Sequence, residues 1–277
     1  MGRLDGRVAV ITGAARGQGR SHARRLAEEG ADIVAIDICA DVEDLKYPLA
    51  TPADLDETVT LVEEAGRRVI ARRADVRSQS ALDDIVAEGL SEFGRIDIVC
   101  ANAGIVDYAT TWETSEQQWQ MQIDILLTGV FHTVKAAIPA MISGRRGGSI
   151  IITSSLGGLR GLANVSAYCA AKFGTVGLTQ SLAVELAEHH IRVNAVHPTN
   201  CNTGMIQNDV TRRLVYPDRD TLPTDEEFRA VTARVNLLPI PWIEPIDVSN
   251  AVLWLASDEA RYVTGISLPI DAGARLK

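Results

Sequence analysis

Short apolar runs alternate along this chain with longer segments in which apolar residues recur every three or four positions. The runs predict seven β-strands, at residues 7–12, 32–37, 68–73, 96–101, 149–153, 191–196 and 266–270. The periodic segments predict helices, one from the first strand to residue 29 and others at about 54–65, 80–93, 115–142, 166–188 and 245–257. This alternation is typical of a parallel sheet with helices on both faces.

Two segments interrupt the alternation. Residues 40–52 form a predicted loop with two prolines, and residues 198–245 are irregular and rich in proline and asparagine. Gly129 and Pro139 are potential bends in the helix predicted at 115–142. No repeat or linker divides the chain, so we expect one α/β domain over 1–277, a Rossmann-type doubly wound fold with a seven-stranded parallel sheet.

Composition and charge exclude several classes of function. The 277 residues include 27 Lys and Arg against 36 Asp and Glu, a net charge of −9, which argues against nucleic acid or an anionic membrane as a partner. No apolar run approaches the roughly 20 residues of a membrane span, and no signal peptide is evident, so a cytoplasmic protein is expected. Four scattered cysteines and the lack of a Cys/His cluster predict neither disulfides nor a metal site.

The residues after the first predicted strand have the composition of a phosphate-binding loop. They read Thr-Gly-Ala-Ala-Arg-Gly-Gln-Gly over 12–19 and open the first predicted helix. Glycines allow a sharp turn and a close approach to a pyrophosphate, which the free N–H groups of a helix terminus bind. Such a loop alone is also compatible with a plain tight turn between strand and helix.

Asp37 strengthens the case for a dinucleotide. It ends the second predicted strand, 18 residues after Gly19, where a carboxylate accepts hydrogen bonds from an adenosine ribose. The same charge repels a 2′-phosphate. NAD is therefore favoured over NADP, although Arg16 weakens that preference.

Tyr168 and Lys172 lie four residues apart on a predicted helix and therefore share one face. A lysine cation at about 4 Å contributes roughly 4 kcal/mol at an effective dielectric of about 20. Before the desolvation of the lysine is subtracted, that is enough to lower a phenol pKa of about 10 by about three units. Tyr168 could then exchange a proton with an alcohol near neutral pH. Ser154 and Ser155 follow the fifth strand, at the sheet edge where α/β proteins bind ligands.

Together these motifs resemble the short-chain dehydrogenase/reductase family over nearly the whole chain. The matching segments are residues 12–19, Asp75-Val76, Asn102-Ala103-Gly104, Ser155 and Tyr168-Cys-Ala-Ala-Lys172. The resemblance selects Ser155, 13 residues before Tyr168, as the residue that holds the substrate oxygen. It implies Tyr168 as acid and base, with Lys172 tuning Tyr168 and binding the nicotinamide ribose.

Two segments resemble a narrower, mycofactocin-associated subgroup that includes proteins called carveol dehydrogenases. They are the insertion at 39–54 and the stretch His197-Pro-Thr-Asn-Cys-Asn-Thr203. This resemblance implies an alcohol dehydrogenase, with an apolar cyclic alcohol such as carveol as a candidate substrate. Its members resemble enzymes that keep their nicotinamide and pass electrons to another carrier, so slow NAD exchange and an external electron carrier are expected.

The resemblance also implies a cofactor site and an assembly. The expected NAD-binding residues are Gly13, Arg16, Gly17, Gln18, Gly19, Asp37, Ile38, Asp75, Val76, Asn102, Ala103, Gly104, Tyr168, Lys172, Pro198, Thr199 and Thr203. A homotetramer is expected, with the two long helices at one interface and residues 267–273 at another. Phe173, Val176, Leu178 and Leu182 are the apolar candidates for the helical interface.

Two positions depart from the family pattern. Leu126 stands where the family has an asparagine that supports a helix bend and a water-linked proton relay to the lysine. Leu126 retains the backbone carbonyl but not the side-chain amide of that relay. Thr199 replaces the usual glycine after Pro198, and because a branched side chain disfavours positive φ, the turn there should differ.

Three functions remain open at this point. An NAD(H)-dependent enzyme that interconverts a secondary alcohol and its ketone is favoured. A sugar-nucleotide epimerase shares the Tyr/Lys pair, but usually has a longer substrate domain than the 109 residues after Tyr168 provide. A non-catalytic NAD-binding or scaffold protein is compatible with Leu126, although an intact Ser155, Tyr168 and Lys172 argue against it. The expected substrate wall is apolar and comprises Ile105, Val106, Tyr108, Leu156, Leu162 and a substrate loop at about 199–242.

Overall fold

Seven parallel strands form the centre of the computed structural model, which describes residues 2–277. They are β1 (Val8–Thr12), β2 (Asp32–Asp37), β3 (Val69–Arg73), β4 (Ile98–Ala101), β5 (Gly148–Thr153), β6 (Ile191–Pro198) and β7 (Ser267–Ile270). Their order is β3-β2-β1-β4-β5-β6-β7, and every neighbouring pair is parallel. The predicted Rossmann-type sheet is confirmed. The strand order reverses between β1 and β4, which opens a crevice at the carboxyl ends of these strands.

Helices cover both faces of the sheet. Those described within 2–277 are α1 (Gly17–Glu28), α2 (Pro52–Glu64), α3 (Gln79–Phe93), α4 (Glu116–Ile123), α5 (Gly129–Gly144), α6 (Ser166–Glu185), α7 (Asp209–Val215), α8 (Asp225–Ala233) and α9 (Pro245–Ala256). Successive strand side chains point to opposite faces, so Ala9 and Ile11 belong to one apolar cluster, and Val8 and Val10 to the other. The first cluster includes α1, α2 and α9, and the second includes α3, α5 and α6.

The long helix predicted at 115–142 is divided into three parts. A π-helical turn at Asp124–Thr128 separates α4 from α5, and Gly129 N donates to Asp124 O to close it. A Cβ on Gly129 would lie 2.6 Å from Val76 Cγ2, so the predicted bend at this glycine lets the helix pass close to Val76. Pro139 lies inside α5.

The same stretch, Glu116–Gly144, has the length and composition of a helix that could cross a membrane. No such segment was expected from the sequence. In the fold, however, Val130, Val134 and Met141 of this stretch are buried in the second apolar cluster. Core helices of this kind pass the same compositional test.

The segment expected to be irregular, 198–245, contains α7 and α8. Asn208 accepts a hydrogen bond from Thr211 N at the start of α7, and Thr224 and Glu227 form a capping box at the start of α8. The expectation was wrong here because prolines and asparagines dominated the pattern. The Thr-x-x-Glu sequence at 224–227 was the available helix signal.

Candidate active site

A cavity of about 390 Å³ lies at the carboxyl ends of the strands, around the point where the strand order reverses. The expected site residues that line it come from the carboxyl ends of six strands, β1 to β6, from the loops that follow them, and from α1 and α6. They are Gly13, Arg16, Gly17, Gln18, Asp37, Ile38, Asp75, Val76, Asn102, Ala103, Gly104, Ser155, Tyr168, Lys172, Pro198, Thr199 and Thr203. Of the residues expected in the site, Gly19 alone does not line this cavity.

Hydrogen bonds from Asn102, which follows the neighbouring strand β4, hold the start of the loop between β1 and α1. Asn102 Nδ2 donates to Thr12 O at 3.1 Å, and Thr12 Oγ1 accepts from Asn102 N at 3.2 Å. Gly17 opens α1 with φ +56°, and a Cβ on it would come within 3.1 Å of Thr203 Cγ2. A Cβ on Gly19 would lie 2.0 Å from Gly13 O. Gly19 therefore lets the helix approach the loop and lies behind the cavity wall.

Asp37 lies on the cavity wall at the end of β2. Its carboxylate is buried and accepts hydrogen bonds from Ala15 N and Cys39 N, each at 3.0 Å. Asp75 lies on the same wall. Burial would raise the pKa of Asp75, but hydrogen bonds and the positive charge of Arg77 hold it below its ordinary value. Both carboxylates are therefore oriented by protein donors.

These residues fit a dinucleotide. Arg16 precedes α1 without capping it, so the side chain leaves the first N–H groups of the helix to a ligand. Gln18 Oε1 is buried and, within residues 2–277, has no hydrogen-bond partner. An unpaired buried acceptor on the cavity wall points to a polar ligand at that position.

Ser155, Tyr168 and Lys172 meet beside this loop. Tyr168 and Lys172 lie one turn apart on α6, with Lys172 Nζ 5.6 Å from the centre of the Tyr168 ring. Lys172 Nζ donates to Thr153 O at 2.7 Å. Ser155 follows β5, its Oγ accepts from Gly157 N at 3.1 Å, and its hydroxyl is near enough to Tyr168 to act on the pKa of the phenol.

Burial dominates the protonation of this pair. It raises the pKa of Tyr168 to about 12, an effect that the nearby Ser155 hydroxyl opposes. It lowers the pKa of Lys172 to about 8. The decrease predicted for the pKa of Tyr168 is therefore wrong, because the desolvation of the phenol was not included in it.

The two departures from the family pattern have visible structural effects. Leu126 is fully buried in the π-helical turn, and a Cβ on Gly104 would lie 3.2 Å from Leu126 Cδ2 and 3.9 Å from Lys172 Nζ. An apolar side chain thus lies near the lysine. Thr199 stays outside the left-handed region, as its branched side chain requires, and its Oγ1 donates to Asn236 Oδ1 at 2.9 Å.

Apolar side chains line the other part of the cavity. All five wall residues expected outside the substrate loop face it, namely Ile105, Val106, Tyr108, Leu156 and Leu162. Trp242, at the end of the expected substrate loop, instead packs against Phe228, with ring centres 6.0 Å apart. Met205, Ile206 and Val235 of that loop do line the cavity, as expected, and Val42, Leu49 and Ala50, which were not expected in the wall, line it as well. The apolar character of these last three residues inside a predicted loop was the only signal.

The insertion after β2 crosses the crevice. Tyr47 is buried, and its hydroxyl accepts a hydrogen bond from Val106 N at 3.0 Å. Its ring belongs to a small apolar cluster with Val106, Val165 and Cys169. Because β1 lies between β2 and β4 in the sheet, the insertion connects the Asp37 side of the cavity to the substrate wall.

Comparisons with known proteins agree with this geometry. The family model for short chain dehydrogenase matches residues 7–213. A (−)-trans-carveol dehydrogenase of Rhodococcus erythropolis is 52% identical over 278 residues, which cover 100% of both chains. The crystal structure of carveol dehydrogenase from Mycobacterium avium in complex with NAD has a TM-score of 0.98 at 53% identity, and both chains are covered completely.

A second solved structure is more distant. The short chain dehydrogenase from Mycobacterium paratuberculosis bound to NAD has a TM-score of 0.91 at 41% identity, again over 100% of both chains. Family model, sequence relatives and solved structures thus agree with the motifs on one assignment. This chain belongs to the short-chain dehydrogenase family.

Proposed function

We propose that this chain interconverts a compact, apolar secondary alcohol, for which carveol is the reference compound, and the corresponding ketone. The chain is an NAD-dependent alcohol dehydrogenase of its family. The observation that carries the proposal is one cavity whose wall holds a dinucleotide loop, the Ser155, Tyr168 and Lys172 group, and an apolar surface. The names of relatives at 52% and 53% identity support the choice of carveol.

Each of the three polar side chains has one task in the proposed mechanism. A bound nicotinamide would supply the redox chemistry, with NAD as the hydride acceptor for the alcohol and NADH as the hydride donor for the ketone. The Ser155 hydroxyl donates to the substrate oxygen and holds it beside Tyr168. Tyr168 takes the alcohol proton during oxidation and returns it during reduction. Lys172, whose pKa is about 8, is charged at neutral pH and favours the phenolate of Tyr168.

The charges of the cavity favour a neutral substrate. Its charged lining residues are Arg16, Asp37, Asp75 and Lys172, and none of them belongs to the apolar wall formed by residues 105, 106, 108, 156 and 162. A sugar nucleotide would bring its own phosphates into this space and would require cationic partners there. The geometry therefore favours an apolar alcohol over the epimerase alternative.

The test is an absorbance assay of reduced nicotinamide with carveol, cyclohexanol and lactate as alternative substrates. A redox dye runs in parallel as an electron acceptor, so that tightly held NAD does not hide activity. We expect carveol to be oxidised, cyclohexanol more slowly, and lactate not at all. Protein that binds NAD but oxidises none of these alcohols would support the scaffold alternative and contradict the proposal.

We also propose that NAD is held through many turnovers and reoxidised by an external carrier. Val42, Leu49 and Ala50 of the insertion line the cavity, and Tyr47 fastens this segment to Val106. The substrate loop lines the cavity at its other end through Thr203, Met205 and Val235. Because release would require both segments to open, NAD should leave slowly.

This second proposal is tested by purifying the protein without added NAD, denaturing it and measuring the released nicotinamide. Wild type should carry NAD and need the dye for repeated turnover, while Tyr47→Phe should lose NAD faster. Lys46→Ala, at an exposed position of the same insertion, is the matched control. Near-empty wild type with rapid turnover on free NAD would contradict retention without affecting the alcohol dehydrogenase proposal.

A further inference from the structure

His197 is a buried titratable residue to which the proposed mechanism gives no task. It lies near the end of β6, has no exposed surface, and pairs with Pro269 of β7. Its Nδ1 is 2.7 Å from the backbone oxygen of Ser155. Its Nε2 is buried and finds no hydrogen-bond partner within residues 2–277.

The contact with Ser155 determines which ring nitrogen of His197 carries the proton. A carbonyl oxygen can only accept, so Nδ1 donates and Nε2 is left as a bare lone pair. Lys172 on α6 and Asp271 after β7 are the charged groups that act on the ring. Burial lowers the pKa of His197, the Ser155 carbonyl and Asp271 oppose this, and Lys172 adds to it. The ring is therefore a neutral donor at physiological pH.

The backbone of Ser155 depends on this donor. Ser155 is extended, with φ −170° and ψ 167°, at the start of a 3₁₀ turn at Leu156–Gly158. Its hydroxyl accepts from Gly157 N at 3.1 Å, and its carbonyl accepts from Gly158 N at 2.9 Å. Both contacts are local and would move with the turn. The bond from His197 instead connects the Ser155 carbonyl to a strand 42 residues away in sequence.

We infer that His197 is a positioning residue, whose neutral imidazole ties the peptide of Ser155 to β6 and so places the Ser155 hydroxyl against the substrate oxygen. This inference rests on the proposed function, because it acts through Ser155. A displacement of about 1 Å in a reacting group can lower a rate by about 100-fold. A histidine that only filled space would be replaceable by an apolar residue of similar size.

Two substitutions separate these roles. In His197→Asn, the amide Nδ2 is attached to Cγ, as Nδ1 is in histidine, and can donate to the same carbonyl. In His197→Leu there is no donor. We expect the leucine variant to lower kcat for carveol by about 10- to 100-fold with little change in the amount of NAD bound, and the asparagine variant to recover most of that loss. His190→Asn, at an exposed position, is the control and should match wild type.

Equal activity in wild type and the leucine variant would overturn the inference, and so would equal losses in the leucine and asparagine variants. If the leucine variant does not fold, nitrogen NMR of histidine-labelled wild type decides. The inference requires the Nδ1–H form of His197 without titration around neutral pH, and the Nε2–H form or an ordinary titration contradicts it. Because this measurement needs no turnover, it still tests His197 if wild type oxidises no alcohol and the proposed function fails.

Discussion

The polar residues that line the cavity also form hydrogen bonds with the protein around them. Asn102 holds the phosphate loop through Thr12, Ser154 Oγ donates to Lys172 O at 3.0 Å, and Lys172 Nζ donates to Thr153 O. A buried donor or acceptor left without its partner costs about 1–3 kcal/mol. Single substitutions in this network should therefore separate chemical roles from supporting ones.

Tyr168→Phe should lower turnover of carveol by about 100- to 10,000-fold, because it removes the hydroxyl that exchanges the proton. Binding of NAD should change little, since the ring and its packing remain. Initial rates and nucleotide titration measure the two effects. Tyr262→Phe is the matched control, because the Tyr262 side chain is 90% exposed. Turnover close to wild type in Tyr168→Phe would remove Tyr168 from the mechanism.

Asp37→Asn should reduce the discrimination against NADP by about 10- to 100-fold, because it removes the charge that repels a 2′-phosphate. NAD should also bind more weakly, since the amide can accept from only one of the Ala15 and Cys39 N–H groups. Specificity constants for both cofactors measure the change. Asp44→Asn, at an exposed position of the insertion, should leave the ratio as it is. A wild type that uses NADP better than NAD would contradict this role of Asp37.

Two close contacts, one between a pair of helices and one between a helix and a loop, lie near the candidate site. α1 packs on α9, where His22 Nδ1 and Ser249 Oγ are 2.8 Å apart in the core. α5 passes the loop after β3 at Gly129, in contact with Val76. α1 follows the loop at residues 12–19, and Val76 lies beside Asp75 on the cavity wall. We therefore expect changes at either contact to alter both the stability of the protein and the shape of the cavity.

Acid should destabilise the protein through His22. Burial lowers the pKa of His22 to about 3, from 6.5. Between these values the unfolded state binds more protons, so the free energy of unfolding falls as pH falls through this window. We expect a loss of about 2 kcal/mol between about pH 6.5 and 4.5 from this group. Urea unfolding of His22→Asn should show a shallower acid slope, while exposed His190→Asn should retain the wild-type slope; identical slopes in all three would contradict the assignment.

Gly129→Ala should destabilise the protein by about 1–3 kcal/mol, because the new Cβ overlaps Val76. Val76→Ala makes room, so the double variant should lose less than the sum of the two single variants. Urea unfolding of the four proteins forms a double-mutant cycle that measures this coupling. Strict additivity would show that the contact does not limit how closely α5 approaches.

Large apolar side chains remain exposed on the surface of the whole molecule. Trp119 of α4, Phe131 of α5 and Phe173 of α6 are 41%, 43% and 46% exposed. Leu237 and Leu238 are more than half exposed beside Ala272, to which their N–H groups donate. Such groups would indicate an interface where they form a contiguous patch. That residues 1–277 form a single domain and that the protein is cytoplasmic both stay predictions.

We predict a homotetramer, with α5 and α6 at one interface and the segment 267–273 at the other. Of the interface candidates taken from the sequence, Phe173 is exposed, whereas Leu182 is buried in the core and faces away from an interface. Light scattering at micromolar concentration should give the mass of four chains. Phe173→Glu should lower that mass, because it would place a charge in an apolar contact. A monomeric wild type would contradict the prediction.

The sequence predicted the sheet and the shared helix face of Tyr168 and Lys172, because both depend on local patterns. Short continuous runs of apolar residues identified the strands, and the spacing of Tyr168 and Lys172 placed them on one helix face. The pKa of Tyr168 was not predictable in this way, since burial depends on residues distant in sequence. The course of the insertion and the separation of Trp242 from the cavity likewise depend on tertiary packing, which periodicity does not report.

The insertion has a consequence for how this fold changes during evolution. It leaves the sheet after Asp37 and ends at Thr51, whose side chain caps α2, so it contributes to no strand ladder. Lengthening a surface loop costs little entropy, because the penalty grows only with the logarithm of its length. Gain or loss of this one segment would therefore change the part of the cavity wall that Val42, Leu49 and Ala50 form, without a change in the sheet. The seven-stranded frame beneath can be inherited unchanged by enzymes that differ in how freely they exchange their cofactor.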